Sequence, residues 1–186
     1  IIYDFDDAIW VPNTTKENKL VAWFKAFWKV KHICKWSYKV VGGNEYLCNY
    51  AGQFNKNVVL IPTCVDVVNG HNQYKTPKEN NLVIGWTGSH TTIKHFELAI
   101  PVLKRLKDKY RDKICFKVIG ATPGFTEGLA LNPRAWSAES EIEDIQDFDI
   151  GIMPLPDDEW SKGKCAFKGL QYMALGFPAV MSAVGA

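Results

Sequence analysis

Apolar residues in this chain follow two patterns: short runs bounded by Gly, Pro, Asn or Asp, and longer stretches in which they return every three or four positions. The first pattern reads as buried strands and the second as helices with one apolar face. Ile1 to Tyr3 form a strand and Asn18 to Tyr38 a helical region. Val40 and Val41 make a short strand, Asn44 caps a helix through Ala51, and Val58 to Ile61 form a strand stopped by Pro62. The polar stretch 71–81 then marks a seam. Beyond it Leu82 to Trp86 read as a strand. Thr91 to Tyr110 read as a helix, with Ile93, Phe96, Ile100, Leu103 and Leu106 on one face and a kink at Pro101. Ile114 to Ile119 form the next strand, Ser137 to Gln146 a short acidic helix and Asp149 to Met153 another strand. A Pro-rich acidic loop, Pro154 to Gly163, leads to a helix from Ala166 to Leu175, which Gly176 ends in the left-handed conformation ahead of Pro178. This alternation predicts an α/β fold of two half-domains with parallel sheets, residues 1–76 and 77–186.

Composition agrees with a packed core: 47% of the 186 residues are hydrophobic. Twenty-two Lys and Arg against twenty Asp and Glu give little net charge, so binding nucleic acid by bulk charge is not indicated. The five cysteines form no CxxC pair and sit mostly in apolar runs, which fits free buried thiols in a reducing, cytoplasmic setting rather than disulfides or a zinc site. In that setting the sequon at Asn13-Thr14-Thr15 is accidental. No apolar run reaches the roughly 20 residues of a spanning helix. An apolar strand at each end, Ile1-Ile2-Tyr3 and Ala179-Val180-Met181, leads us to expect further sequence on both sides.

Strand ends are where alternating α/β units hold ligands, and two segments there carry chemistry. The first is the turn Thr87-Gly88-Ser89 ahead of Thr91 and Thr92, where backbone N–H groups at a helix start suit a phosphate, although such a turn also caps helices. The second runs from Lys164 to Pro178. On a helix Lys164, Lys168 and Gln171 would share one face, two ammoniums and an amide suited to a diphosphate and a sugar hydroxyl, or else an ordinary solvated basic face.

The run Lys164-Cys165-Ala166-Phe167-Lys168-Gly169-Leu170-Gln171-Tyr172-Met173-Ala174-Leu175-Gly176-Phe177-Pro178 resembles the donor site of the group-one glycosyltransferases of the GT-B fold. So do Asp149-Ile150-Gly151-Ile152-Met153-Pro154-Leu155 before it, and Gly43-Asn44-Glu45-Tyr46-Leu47 and Ile61-Pro62-Thr63-Cys64-Val65-Asp66 upstream, in the family's order. The resemblance implies two Rossmann-like half-domains, the end of an acceptor domain and most of a donor domain. It implies sugar transfer from a nucleotide-diphosphate donor to a glycan or lipid-linked acceptor, with retention, in glycan or cell-envelope polysaccharide synthesis. No cofactor and no metal are implied, the nucleotide sugar being a substrate. By position Lys168 would hold the diphosphate and Gln171 would stand where the family has a ribose-binding glutamate. Gly163 occupies the place of a second glutamate, so the two-glutamate motif is absent and the catalytic group is unassigned, with Asp157, Asp158 and Glu159 as substitutes. Missing glutamates also leave room for a non-catalytic nucleotide-sugar-binding module.

Two further features stand apart. Ile1 to Asp7 is a strand running into Asp4, Asp6 and Asp7. A Mg²⁺-dependent phosphatase of the haloacid-dehalogenase type would use Asp4 as nucleophile and Asp6 as acid/base. In the glycosyltransferase reading Asp6 and Asp7 face the acceptor-side cleft. From Asn18 to Val41 there is no acidic residue. On a helix Lys25, Lys29, His32, Lys35 and Lys39 fall within an arc of roughly 120° that also takes in Trp28 and Trp36. That arrangement suits an anionic membrane surface, and with it a peripheral place on the inner face of a membrane, or a core-facing helix with a basic outer side.

Overall fold

A computed structural model describes residues 1–12, 26–72, 81–89, 91–120 and 129–186. These form two compact units, each built from more than one chain segment. The first holds Ile1–Cys64, Asp157–Ala166 and Ala183–Ala186, the second Val65–Pro156 and Phe167–Ser182. The boundary expected at residue 76, like Lys25 and the rest of 18–25, lies outside the described residues, and of the helical region expected from Asn18 to Tyr38 the described part is helical only over Lys29–Trp36.

In the first unit β1 (Ile2–Phe5), β2 (Lys39–Gly42) and β3 (Val58–Leu60) form a parallel sheet in that order. Helices α1 (Lys29–Trp36) and α2 (Glu45–Gly52) supply the connections, as parallel strands require. Asn44 caps α2 as its sequence position predicts, its Oδ1 accepting from Leu47 N at 2.9 Å. The core joins Phe5, Val40, Leu47 and Ala51 to Val30 and Cys34 of α1 and to Cys165 from the distant segment Asp157–Ala166.

The second unit carries a five-stranded parallel sheet, β4 (Leu82–Thr87), β5 (Ile114–Ile119), β6 (Leu131–Arg134), β7 (Ile150–Met153) and β8 (Ala179–Met181), in the spatial order β6-β5-β4-β7-β8. The chain works outward from β4 to β6, then returns to lay β7 on the other side of β4. The reversal makes the carboxyl ends of β4 and β7 the topological switch point. Strand alternation builds two cores. Ile84, Trp86, Phe116 and Val118 pack with Phe96, Ile100 and Leu103 on one face. Ile119 packs with Ile145, Phe148, Tyr172, Leu175 and Phe177 on the other.

The predicted helix over 91–110 is two helices, α3 (Ile93–Glu97) and α4 (Ile100–Tyr110). Pro101 sits in the first turn of α4, where its missing N–H would have no helical partner. A break before it therefore replaces the kink. The acidic helix shortens to α5 (Glu141–Ile145), and α7 (Phe167–Ala174) ends at Gly176 with φ 84°, as its sequence predicts. Two elements escape the pattern: α6 (Glu159–Lys162), inside the expected loop, and β6, whose Pro133 is tolerated because β6 is the sheet edge.

Candidate functional site

At the switch point of the second unit, Trp86, the penultimate residue of β4, is 1% exposed, and two neighbours lie against its ring. Gly88 passes so close that a Cβ there would stand 2.2 Å from the indole. Lys168, in the first turn of α7, holds its ammonium 4.7 Å from the ring centroid, a cation–π contact. The next strand end presses in from the side: Gly120 has φ 85°, donates its N–H to Arg134 O at 2.7 Å, and would place a Cβ 1.7 Å from Gly88 O. Two backbone segments meet here with no room for side chains, the arrangement by which a loop comes close to a phosphate.

Turn residues Thr87 to Ser89 are satisfied within the protein. Thr87 N donates to Tyr172 Oη at 3.2 Å, Gly88 N to Ile119 O at 3.0 Å and Ser89 N to Thr92 Oγ1 at 3.0 Å. The free N–H groups expected from the sequence are thus engaged, and the five-residue α3 starts only after Thr92, which makes no side-chain capping bond. Electrostatics instead single out α7. It carries no acid in its first turn, and Lys168 sits at the end where the helix dipole already favours negative charge. An anion there would be held by both. Gln171, one turn on, is 1% exposed, and its Nε2 has no hydrogen-bond partner among the described residues. A buried amide left this way costs on the order of 1–3 kcal/mol until something accepts from it.

Lys164 does not join Lys168 and Gln171 on a helix face. It precedes α7, separated by Cys165 and by Ala166 at φ 58°, and belongs to the first unit. There its ammonium pairs with both Asp7 oxygens, at 2.8 and 3.0 Å, and Asn44 Nδ2 donates to Lys164 O at 3.2 Å. Burial holds the Asp7 carboxyl above its ordinary value, with Lys164 working in the opposite direction. Gly163 packs so tightly that a Cβ would meet Ala8 N at 2.5 Å, so no glutamate side chain has room there.

Of the three substitutes, Asp158 caps α6 by accepting from Ser161 N at 2.7 Å. Glu159 accepts from Lys162 Nζ at 2.7 Å and Tyr46 Oη at 2.6 Å, contacts that hold it below the ordinary carboxylate range. Asp157 is exposed. Asp4 lies inside β1, opposite Val41, and Asp6 follows the strand. Both line a cavity of about 480 Å³ at the strand ends of the first unit, with Gly43, Pro62 and Thr63. Among the described residues no group of three His, Cys, Asp or Glu side chains is placed to share a metal ion. All five cysteines are free, with Cys34 and Cys165 buried but Cys64 exposed, so burial does not extend to every thiol. Trp136 is half-exposed and donates its Nε1–H to Glu141 Oε1 at 2.9 Å. On α1 Trp28, Lys29, Lys35 and Trp36 are all exposed. No described helix is long and apolar enough to cross a membrane.

The sequence pattern missed Trp86 as the surface under Lys168 and Gly120 as the partner of Gly88. A glycine directly after a strand, repeated at Gly88 and Gly120, was the available signal.

This architecture has close counterparts. WaaG, a glycosyltransferase involved in lipopolysaccharide biosynthesis, superposes with a TM-score of 0.69 at 13% identity, over 99% of this chain and 56% of its own. TarM gives 0.67 at 10% identity over 100% of this chain and 36% of its own. A mutant of S. aureus TarM, in complex with fondaparinux, α-GlcNAc-glycerol and UDP, gives 0.67 at 13%, over 100% of this chain and 37% of its own. The chain therefore has the GT-B glycosyltransferase fold and spans between about a third and just over half of the length of these structures. No known sequence family and no curated protein sequence matches it.

Proposed function

We propose that this chain is part of a glycosyltransferase whose second unit binds a nucleotide-diphosphate sugar at the carboxyl ends of β4 and β7. The observation that carries the reading is Lys168, an ammonium in the first turn of α7 lying against the same Trp86 ring that Gly88 packs on. A diphosphate set there meets a positive helix end and a lysine together. Gln171, whose buried Nε2 has no hydrogen-bond partner among the described residues, fits a donor to a nucleotide or sugar oxygen. Transfer proceeds with retention and without an obligatory metal. As the glycosidic bond breaks, negative charge builds on the leaving diphosphate and Lys168 stabilises it. The GT-B fold and the UDP in the TarM complex support the ligand class, and the lipopolysaccharide role of WaaG supports a glycan or lipid-linked acceptor in envelope polysaccharide synthesis.

The test is thermal shift of the chain with UDP, GDP and ADP, followed by nucleoside diphosphate release from nucleotide sugars by the longer protein. At least one diphosphate should stabilise the wild type, and Lys168→Ala should abolish the shift. In the longer protein Lys168→Ala should lower kcat by about 10²–10³-fold, the effect of deleting one preorganised charge-stabilising group. An undiminished shift or rate in Lys168→Ala overturns the site. Binding without transfer by the longer protein would assign a non-catalytic nucleotide-sugar-binding module.

A further inference from the structure

Helix α1 has two apolar faces, and the fold uses one. Val30 and Cys34, four residues apart, are 2% and 0% exposed against the core of the first unit. At about 100° per residue, the opposite direction is occupied by Trp28, His32 and Trp36. These three form a continuous ridge, with Trp28 and His32 ring centroids 5.6 Å apart and His32 and Trp36 5.4 Å apart. Trp28 is 65% exposed and Trp36 75%, so the ridge stands out from the protein. The same projection puts Lys31 and Lys35 along one side of it and Lys29 along the other, all exposed. Tyr38, just past the helix end, is 75% exposed as well.

We propose that this ridge docks the protein on an anionic lipid bilayer. Indoles in a row with ammoniums on both flanks match the layering of a bilayer surface, with rings at headgroup depth and charges at the phosphates. Rings as exposed as Trp28 and Trp36 suit a yielding lipid surface, whereas a protein partner would anchor an indole in a preformed pocket. Charge complementarity extends beyond the helix, since no Asp or Glu occurs from Asn18 to Asn44. Each flanking lysine adds attraction to anionic lipid in proportion to the surface potential.

Co-sedimentation of the chain with vesicles of phosphatidylcholine, with and without phosphatidylglycerol, tests this. The chain should pellet with the anionic vesicles only. Trp28→Ser with Trp36→Ser, and separately Lys31→Gln with Lys35→Gln, should each weaken partitioning on the order of tenfold. These side chains are exposed, so both variants should keep the wild-type melting temperature, which is measured alongside. Lys168→Ala should bind vesicles normally, which separates this surface from the donor site. Failure to pellet, equal pelleting with neutral vesicles, or unchanged partitioning of either double variant overturns the proposal.

Discussion

Tyr46 donates its phenolic proton to Glu159 at 2.6 Å, and its pKa is pushed up from 10 to about 12, by burial first and by the carboxylate second. The folded protein thus holds this proton more tightly than the unfolded chain. The resulting stability is fully present below about pH 10 and is lost as pH rises through 12. Comparing wild type with Tyr46→Phe by denaturant unfolding should give a stability difference that is constant up to about pH 10 and falls above it. Tyr3, Tyr50 and Tyr172 are also held up by burial, but they contribute equally to both proteins and cancel. A difference independent of pH would mean that the Tyr46 to Glu159 bond does not persist in solution.

Among the elements, the two strand ends at Gly88 and Gly120 decide whether the proposed donor site can form. Gly120 combines a left-handed φ of 85° with a Cβ position 1.7 Å from Gly88 O, so any side chain must move backbone rather than a flexible group. Gly120→Ala should cost about 1–3 kcal/mol from the dihedral strain alone, more with the clash, measured by urea unfolding. It should also lose the nucleoside diphosphate thermal shift, because Gly88 and Trp86 are displaced together. Unchanged stability would refute the close approach. The α4 break illustrates the same logic in helices: periodicity over 91–110 is continuous, yet Pro101 is accommodated as a helix start.

At the scale of the whole molecule, the first unit draws on three separated chain segments, and Gly163 is one of the points that holds them. With a Cβ there meeting Ala8 N at 2.5 Å and Ala8 Cβ at 2.7 Å, Gly163→Ala overpacks a buried contact, at a cost of about 1–3 kcal/mol. The segment Asp157–Ala166 should then open more readily. Limited proteolysis should cut it faster in the variant, and wild-type cutting rates would show that the packing at Ala8 has slack. Asn44 ties the same segment by donating to Lys162 O and Lys164 O at 3.0 and 3.2 Å while capping α2. No local rule assigns a cap residue that second duty.

The sequence by itself determined the local elements: that strands run from Val58, within one residue of its end, and over Ile114 to Ile119, that Asn44 starts a helix, and that Gly176 ends one. Those features depend on propensity, capping and periodicity, which act over a few residues. It also carried the α/β order and the glycosyltransferase resemblance that the fold matches. Only the tertiary structure decided which residues meet. It set Lys168 over Trp86, gave Lys164 to Asp7 instead of to the α7 face, occupied the N–H groups of the Ser89 turn and left Gln171 Nε2 buried without a hydrogen-bond partner among the described residues. Those outcomes turn on strand order and on contacts between residues far apart in the chain, and helical spacing could not foresee that Ala166, at φ 58°, would keep Lys164 off the helix.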